Sequence, residues 1–176
     1  MGTVDSRTVN QLKFIQMRIA FVRQGLNKKY LPYFDALCEE LKGTWWYPTC
    51  GRRSLAEQQA LYDKGRTPES IAKKEEIVTK AVPGNSAHNW GCATDWVEWN
   101  PDWLSSVIYE KSDWEFYGSV VRKVGLFWGG DFSADIIDRP HNQLQLDIPY
   151  RAVGDFYKQH GEQAAEAFLE QHFKGK

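Results

Sequence analysis

The sequence has no surplus of charge, no long apolar run and no paired cysteines, and each absence removes a class of function. Its 22 Lys and Arg against 23 Asp and Glu leave a formal net charge of −1. That excludes a general electrostatic grip on nucleic acid, because phosphate binding needs a basic surplus. Of the local basic pairs, Lys28-Lys29 reads as solvated surface and Arg52-Arg53 stays open as an anion partner. No stretch approaches the ~20 apolar residues of a spanning helix, so stable membrane insertion is not expected. The opening MGTVDSRTVNQ lacks the apolar centre of a secretory signal. Met1-Gly2 with Ser6 matches a short N-myristoylation pattern in form, but nothing else calls for a lipid anchor. The chain is therefore expected to be made in a cytoplasm. Three cysteines, Cys38, Cys50 and Cys92, are odd in number and far apart. They fit neither a disulfide framework nor paired zinc-binding thiols, and read as small buried hydrophobes.

What is present is an ordinary globular composition, with 42% apolar and 26% charged residues, on a chain of 176 residues. That length suits one domain with a real core. The eight Trp are the unusual feature. Aromatics at this density suit flat surfaces laid against sugar or peptide, although core packing accounts for most of them equally well.

Periodicity and punctuation give an α+β reading. Thr8 and Gln11 form a capping-box pattern ahead of Leu12, Ile15, Ile19 and Val22 at helical spacing, ended near Gly25. Phe34, Leu37, Cys38 and Leu41 mark a second helix stopped at Gly43. TWWYPT (44–49) is β-prone. Ser54 and Glu57 cap a helix that ends at Gly65, and residues 66–85 read as a long polar loop with a little strand. In ATDWVEW, Ala93, Asp95, Val97 and Trp99 alternate with Thr94, Trp96 and Glu98. Ser112 and Glu115 cap a helix with an apolar face of Trp114, Tyr117, Val120, Val121 and Val124, closed by Gly125. A further alternating run spans His141 to Asp147, and the tail reads as one or two helices broken near Gly161. The expectation is a single compact domain over 1–176. Helices at 8–43 and 150–173 would flank a core at about 45–147 that carries a small antiparallel sheet.

Three ligand-type residues stand in informative surroundings. His88 precedes Asp95 by seven residues, with Gly91 between them to allow a tight turn. Asp95 shares a face with Ala93 and Val97, and a carboxylate on an apolar face is costly unless paired or bound to metal. His141 opens HNQLQL, sharing a face with Gln143 and Gln145. Two imidazoles and a carboxylate offer zinc three protein ligands and leave a fourth position open, as in catalytic sites. A satisfied polar pair explains the same residues, and spacing does not choose between them. Elsewhere, His160 and His172 read as exposed helix residues of the tail. Asp131 and Asp135 lack the spaced oxygen ligands of a calcium loop. Ser86 lacks a nucleophile elbow, and Cys92 reads as packing.

Four blocks in order carry a resemblance. GRRSLAEQQALYDKGR, Ser86-x-His88-x-x-Gly91-x-Ala93-x-Asp95, GLFWGGDF and Asp138-x-x-His141 resemble the D-Ala-D-Ala metallopeptidase family. That family includes D-alanyl-D-alanine carboxypeptidases, D-Ala-D-Ala dipeptidases and phage-type L-alanoyl-D-glutamate endopeptidases. The similarity runs from about Gly51 to Gln143 and leaves both ends of the chain unmatched. It implies one catalytic Zn2+ on His88, Asp95 and His141, with Asp138 as catalytic acid/base and Arg53 stabilising the oxyanion. Ser86 and Gln58 match positions near substrate. Asp138 in place of Glu, the Trp-Gly-Gly-Asp stretch, compactness and the missing export signal resemble the phage-type branch. The implied substrate is peptidoglycan stem peptide, cut at L-Ala–D-Glu by a monomer made in a bacterial host cytoplasm and acting on the wall after release. Alternatives are a D,D-carboxypeptidase, a D-Ala-D-Ala dipeptidase or a non-catalytic wall-binding module.

Overall fold

The computed structural model describes residues 6–99 and 112–174, with side chains from residue 9 onward. The Met1-Gly2 pattern and the Thr8 side chain lie outside the described residues. The chain is α+β. Its elements are α1 (Ser6–Arg23), α2 (Leu31–Glu40), β1 (Trp46–Cys50), α3 (Leu55–Asp63), α4 (Pro68–Ala72), β2 (Ala93–Glu98), α5 (Trp114–Lys123), β3 (Phe127–Trp128), β4 (His141–Gln143), α6 (Tyr150–His160) and α7 (Glu162–Glu170). Four strands form one antiparallel sheet in the order β1-β2-β4-β3.

The apolar faces of α2 and α5 are those expected. Phe34, Leu37 and Leu41 are buried from α2, and Trp114, Tyr117, Val120 and Val121 from α5. On α1, Ile15 and Val22 are buried while Leu12 is exposed. Phe14 takes the inward position instead, edge-on to Tyr47 and Trp99 at 5.4 Å each. The Ser54–Glu57 capping box is present at the start of α3. Ahead of α5 the cap is Asp113, whose side chain accepts from Phe116 N, and not Ser112. Among the described residues, 66–85 holds the short α4 and no strand, because Thr67 caps a helix that Pro68 opens.

Strand β2 corrects the expectation for Asp95. The face turned to the core carries Thr94 and Trp96, both fully buried. Trp96 packs 5.8 Å from Phe34. Trp96 has the larger apolar surface to remove from water, so it decides which face goes inward. Asp95 therefore faces the opposite, partly open side, with Val97 only half-buried.

Behind that strand lies a closed polar cluster. Tyr30, Thr94, Tyr117 and Asn142 are all fully buried. Tyr30 Oη donates to Asn142 Oδ1 and lies 2.7 Å from Thr94 Oγ1. Asn142 Nδ2 donates to the Thr94 carbonyl at 3.0 Å and to Tyr117 Oη at 2.6 Å. Tyr117 Oη then donates to the Pro140 carbonyl at 3.3 Å. The cluster ties α2, α5 and the β2–β4 pair together and fixes Thr94 opposite Asn142 in the register. Asn142→Leu keeps the volume but strands these groups. It is expected to lower unfolding free energy by at least about 2 kcal/mol in a urea titration, since each orphaned buried polar group costs ~1–3 kcal/mol.

Candidate metal centre

The register that seats Thr94 against Asn142 also seats Asp95 directly opposite His141. His88 comes from a 3-10 turn, Ala87–Trp90, that leads into β2 and ends at Gly91 with φ 66°. A side chain at Gly91 would meet Asn27 N at 2.7 Å and the Gly25 carbonyl at 2.8 Å, so the turn closes only without a Cβ. These three elements bring His88, Asp95 and His141 together. His88 Nε2 to Asp95 Oδ1 is 3.1 Å, His88 Nε2 to His141 Nδ1 is 3.2 Å, and His141 Nδ1 to Asp95 Oδ1 is 3.2 Å. Tetrahedral zinc with bonds of about 2.0–2.1 Å spaces its donors roughly 3.3–3.4 Å apart, so this nearly equilateral triangle fits such an ion with little movement.

The outer nitrogens are already committed. His88 Nδ1 lies 2.8 Å from the Gly51 carbonyl, which must accept its proton, so in the neutral ring Nε2 is the nitrogen with the lone pair. His141 Nε2 lies 2.9 Å from Gln143 Oε1, which likewise frees Nδ1. Outer partners of this kind fix the tautomer and ring orientation that a metal requires. The donor set therefore suits a divalent ion, and imidazole with carboxylate suits zinc among others.

Without an ion, charge is balanced between His88 and Asp95. Burial opposes a charge on His88, but the Asp95 carboxylate outweighs it and raises the imidazole from 6.5 to about 10. Burial likewise opposes the Asp95 carboxylate, and the two imidazoles outweigh it, holding Asp95 far below the usual carboxylate range.

Arg53 enters from the loop before α3. Its backbone N donates to the His88 carbonyl at 3.0 Å, which locks it to the ligand turn. Its guanidinium reaches Asp95 Oδ2 at 3.8 Å and donates to Gln58 Oε1 at 2.9 Å. Gln58 is fully buried, with Nε2 donating to the Ala81 carbonyl at 2.7 Å. The substrate contact expected of Gln58 is thus replaced by another position: both of its polar ends are engaged inside the protein, and it holds Arg53.

Asp138 stands at the rim, with a carboxylate oxygen within 4.8 Å of ligand atoms of Asp95 and His141. Solvent reaches it, yet the cleft walls desolvate it enough to raise its carboxyl above the ordinary value, with His141 opposing and Asp95 adding to the rise. Gly129 explains its placement. Asp138 N donates to the Gly129 carbonyl at 3.0 Å, and a Cβ on Gly129 would fall 2.2 Å from the Asp138 carbonyl and 2.8 Å from His141 Cβ. Trp128 Nε1 donates to the Arg139 carbonyl at 2.7 Å, pinning the same loop. Asp131 points away and pairs with Arg122 at 2.6 Å.

Ser86, Arg53, His88, Asp95, Asp138 and His141 line one cleft of about 850 Å³. Cys50, which does not line the cleft, stands unexpectedly beside three of these residues. It is half-buried opposite Asp95 in the β1–β2 register, with Sγ 3.8 Å from His88 Nδ1 and 3.4 Å from Arg53 Nη2. Burial raises its thiol, but the contact with His88 outweighs burial and the net shift is downward. Cys38 is also half-buried, while Cys92 is buried as expected. His160 is exposed, whereas His172 is partly buried and pairs with Asp147 at 2.8 Å.

A carboxylate and an imidazole at opposed register positions of an antiparallel sheet, with a second imidazole from the turn that leads into β2, define the class: an α+β protein with a candidate three-donor metal centre. The family model VanY, D-alanyl-D-alanine carboxypeptidase, matches residues 23–129, and the chain belongs to that family. The match includes Arg53, Gln58, Ser86, His88 and Asp95 and ends before Asp138 and His141. CwlK of Bacillus subtilis (strain 168), a peptidoglycan L-alanyl-D-glutamate endopeptidase, is 37% identical over 105 residues, covering 54% of this chain. This chain spans 58% of the length of that relative. The crystal structure of the Serratia marcescens L-Ala D-Glu endopeptidase ChiX superposes with a TM-score of 0.51 at 17% identity, over 82% of this chain and 91% of that one. A vancomycin-resistance D,D-pentapeptidase, VanY of a VanB-type cassette with Zn(II), gives 0.49 at 18% identity over 77% and 79% of the two chains.

Because His88 is raised to about 10, its Nε2 carries a proton at pH 7 that an arriving ion must displace. Zinc binding at pH 7 is expected to release about one proton, and apparent affinity should keep climbing above pH 7 rather than levelling near the ordinary 6.5. Calorimetry in two buffers of different ionisation heat counts the protons. No release at pH 7 would mean that His88 is already neutral there, overturning its raised value.

Proposed function

We propose that this protein is a zinc-dependent peptidase of the peptidoglycan stem peptide, cutting the L-Ala–D-Glu bond as a phage-type lysis enzyme. It would be made in a bacterial host cytoplasm and act on the wall after release. The observation that carries this reading is the donor triangle of His88, Asp95 and His141 with Arg53 and Asp138 in the same cleft. The 37% identity to an L-alanyl-D-glutamate endopeptidase supports the bond, as does Asp138 in the position where the dipeptidases it resembles carry Glu.

A divalent ion in the triangle would act as a Lewis acid on the scissile carbonyl and lower the pKa of water to about 7. Asp138 takes the proton of the attacking water and returns it to the leaving amine, a role that its raised carboxyl suits. Arg53 is held by Gln58 and by the His88 carbonyl, so its charge is already in place when the carbonyl oxygen becomes an oxyanion. Ser86 lines the cleft, where its hydroxyl can meet the substrate backbone.

A second reading, removal of terminal D-alanine, follows from the description of the family model. The lining of the cleft favours an internal bond, because it includes residues well beyond the metal ligands: Val78 and Ile136 in the loops, Arg151 at the start of α6 and Lys174 beyond the end of α7.

Digestion of purified peptidoglycan followed by mass spectrometry separates these readings. A newly exposed D-Glu amino terminus is expected, lost on chelation and restored by zinc; free D-Ala would support the second reading instead. Absence of any new amino group with zinc present would end the peptidase reading. Asp138→Asn should bind zinc normally while turnover falls by about 10²–10⁴-fold, the usual range for a lost acid/base group. Unchanged turnover would take Asp138 out of the mechanism.

A further inference from the structure

The cleft is electrically lopsided in a way that the metal chemistry does not use. Among the described residues that line it, the only carboxylates are Asp95 and Asp138, both beside the donor triangle. Its lining also holds two cations, Arg151 and Lys174, carried by the segment that follows β4. Both cations are available there. Arg151 has one long ion contact, 3.7 Å to Asp155, with its side chain 80% exposed. Asp155 itself pairs more closely with Lys158 at 2.9 Å. The nearby Asp147 is engaged by His172 at 2.8 Å. Arg151 also stands in the first turn of α6, where the helix dipole disfavours a cation and the turn itself holds no acidic residue.

Lys174 is held in position by the chain before it. Phe173 bridges Leu146, and Asp147 N donates to the His172 carbonyl at 3.0 Å. Leu146 lies five residues beyond His141 in sequence, at most about 17 Å at ~3.4 Å per extended residue. An extended peptide with its scissile bond at the triangle would therefore reach Leu146, and the Phe173–Lys174 segment bridged to it, within about five residues. Gln143 and Gln145 stand along the path.

We infer that Arg151 and Lys174 form a remote carboxylate subsite, selecting acidic peptides whose side-chain or terminal carboxylate lies several residues from the cut bond. This deepens the peptidase reading and rests on it. Both cations lie outside residues 23–129, the region matched by the family model.

The test uses synthetic stem peptides with their carboxylates either free or amidated, and the zinc-loaded full chain. For the free acid, R151Q/K174Q should raise KM by about five- to tenfold with kcat within about twofold, in keeping with two exposed ion pairs. The amidated peptide should give the same KM with both proteins. The acid preference should also shrink as salt is raised. Equal KM for the acid with both proteins, or an equal rise for the amidated peptide, overturns the subsite. Calorimetric binding of both peptides to zinc-loaded Asp138→Asn separates the two failures. If the wild type cleaves neither peptide, yet the acid still binds at least about fivefold tighter and R151Q/K174Q removes the difference, the peptidase reading falls and the subsite stands. Equal binding of acid and amide removes the subsite alone.

Discussion

The pairing of β2 with β4 is the interaction on which the rest of the molecule depends, and Asn142 is what fixes it. Two strands with short contact can slip, and a slip of one residue would turn every side chain to the other face. Asn142 prevents this by binding the Thr94 backbone and side chain while reaching Tyr30 from the α2 side and Tyr117 from α5. All four residues are fully buried, so a displaced register would strand several polar groups without water. Core and centre thus stand back to back across two strands. Thr94 and Asn142 face inward, and their chain neighbours Asp95 and His141 face the cleft.

The centre trades one kind of charge balance for another. With no ion, Asp95 is compensated by a protonated His88 and by Arg53 at 3.8 Å. With an ion, the imidazoles must be neutral, and the metal takes over that compensation. The carbonyl of Gly51 and the amide of Gln143 keep their hydrogen bonds through the exchange, since each contacts the nitrogen that faces away from the triangle. Arg53 is similarly prepared. A cation before a helix start is unfavourable by itself, but Gln58, Asp95 and the His88 carbonyl hold it there.

Much of this was legible in the sequence where the signal is local. The Ser54–Glu57 box, the apolar faces of α2 and α5 and the break at Gly161 depend on residues within a turn or two, and each is present. The blocks around His88, Asp95, Asp138 and His141 pointed to residues that the structure brings into one cleft. What stayed hidden depends on distant partners. The alternation of β2 could not say which face was inward, because that rests on Trp96 meeting Phe34. Cys50 gave no sign of its place, since only the strand register sets it beside Asp95. Gln58 read as a substrate contact because its neighbours in space, Arg53 and Ala81, include one 23 residues away. His172 read as exposed because its partner, Asp147, is 25 residues distant.

The order in which the donors occur along the chain carries a consequence for synthesis. His88 and Asp95 sit on one continuous stretch, while His141 arrives on a three-residue strand that also brings Asn142. A chain emerging from the ribosome therefore has neither its third donor nor the side chain that locks the register until that strand has been made. Up to that point Tyr30, Thr94 and Tyr117 have no common partner. Completion of the centre and closure of the core then become one event that waits on the synthesis of β4, and before it a nascent chain lacks the means to hold an ion firmly.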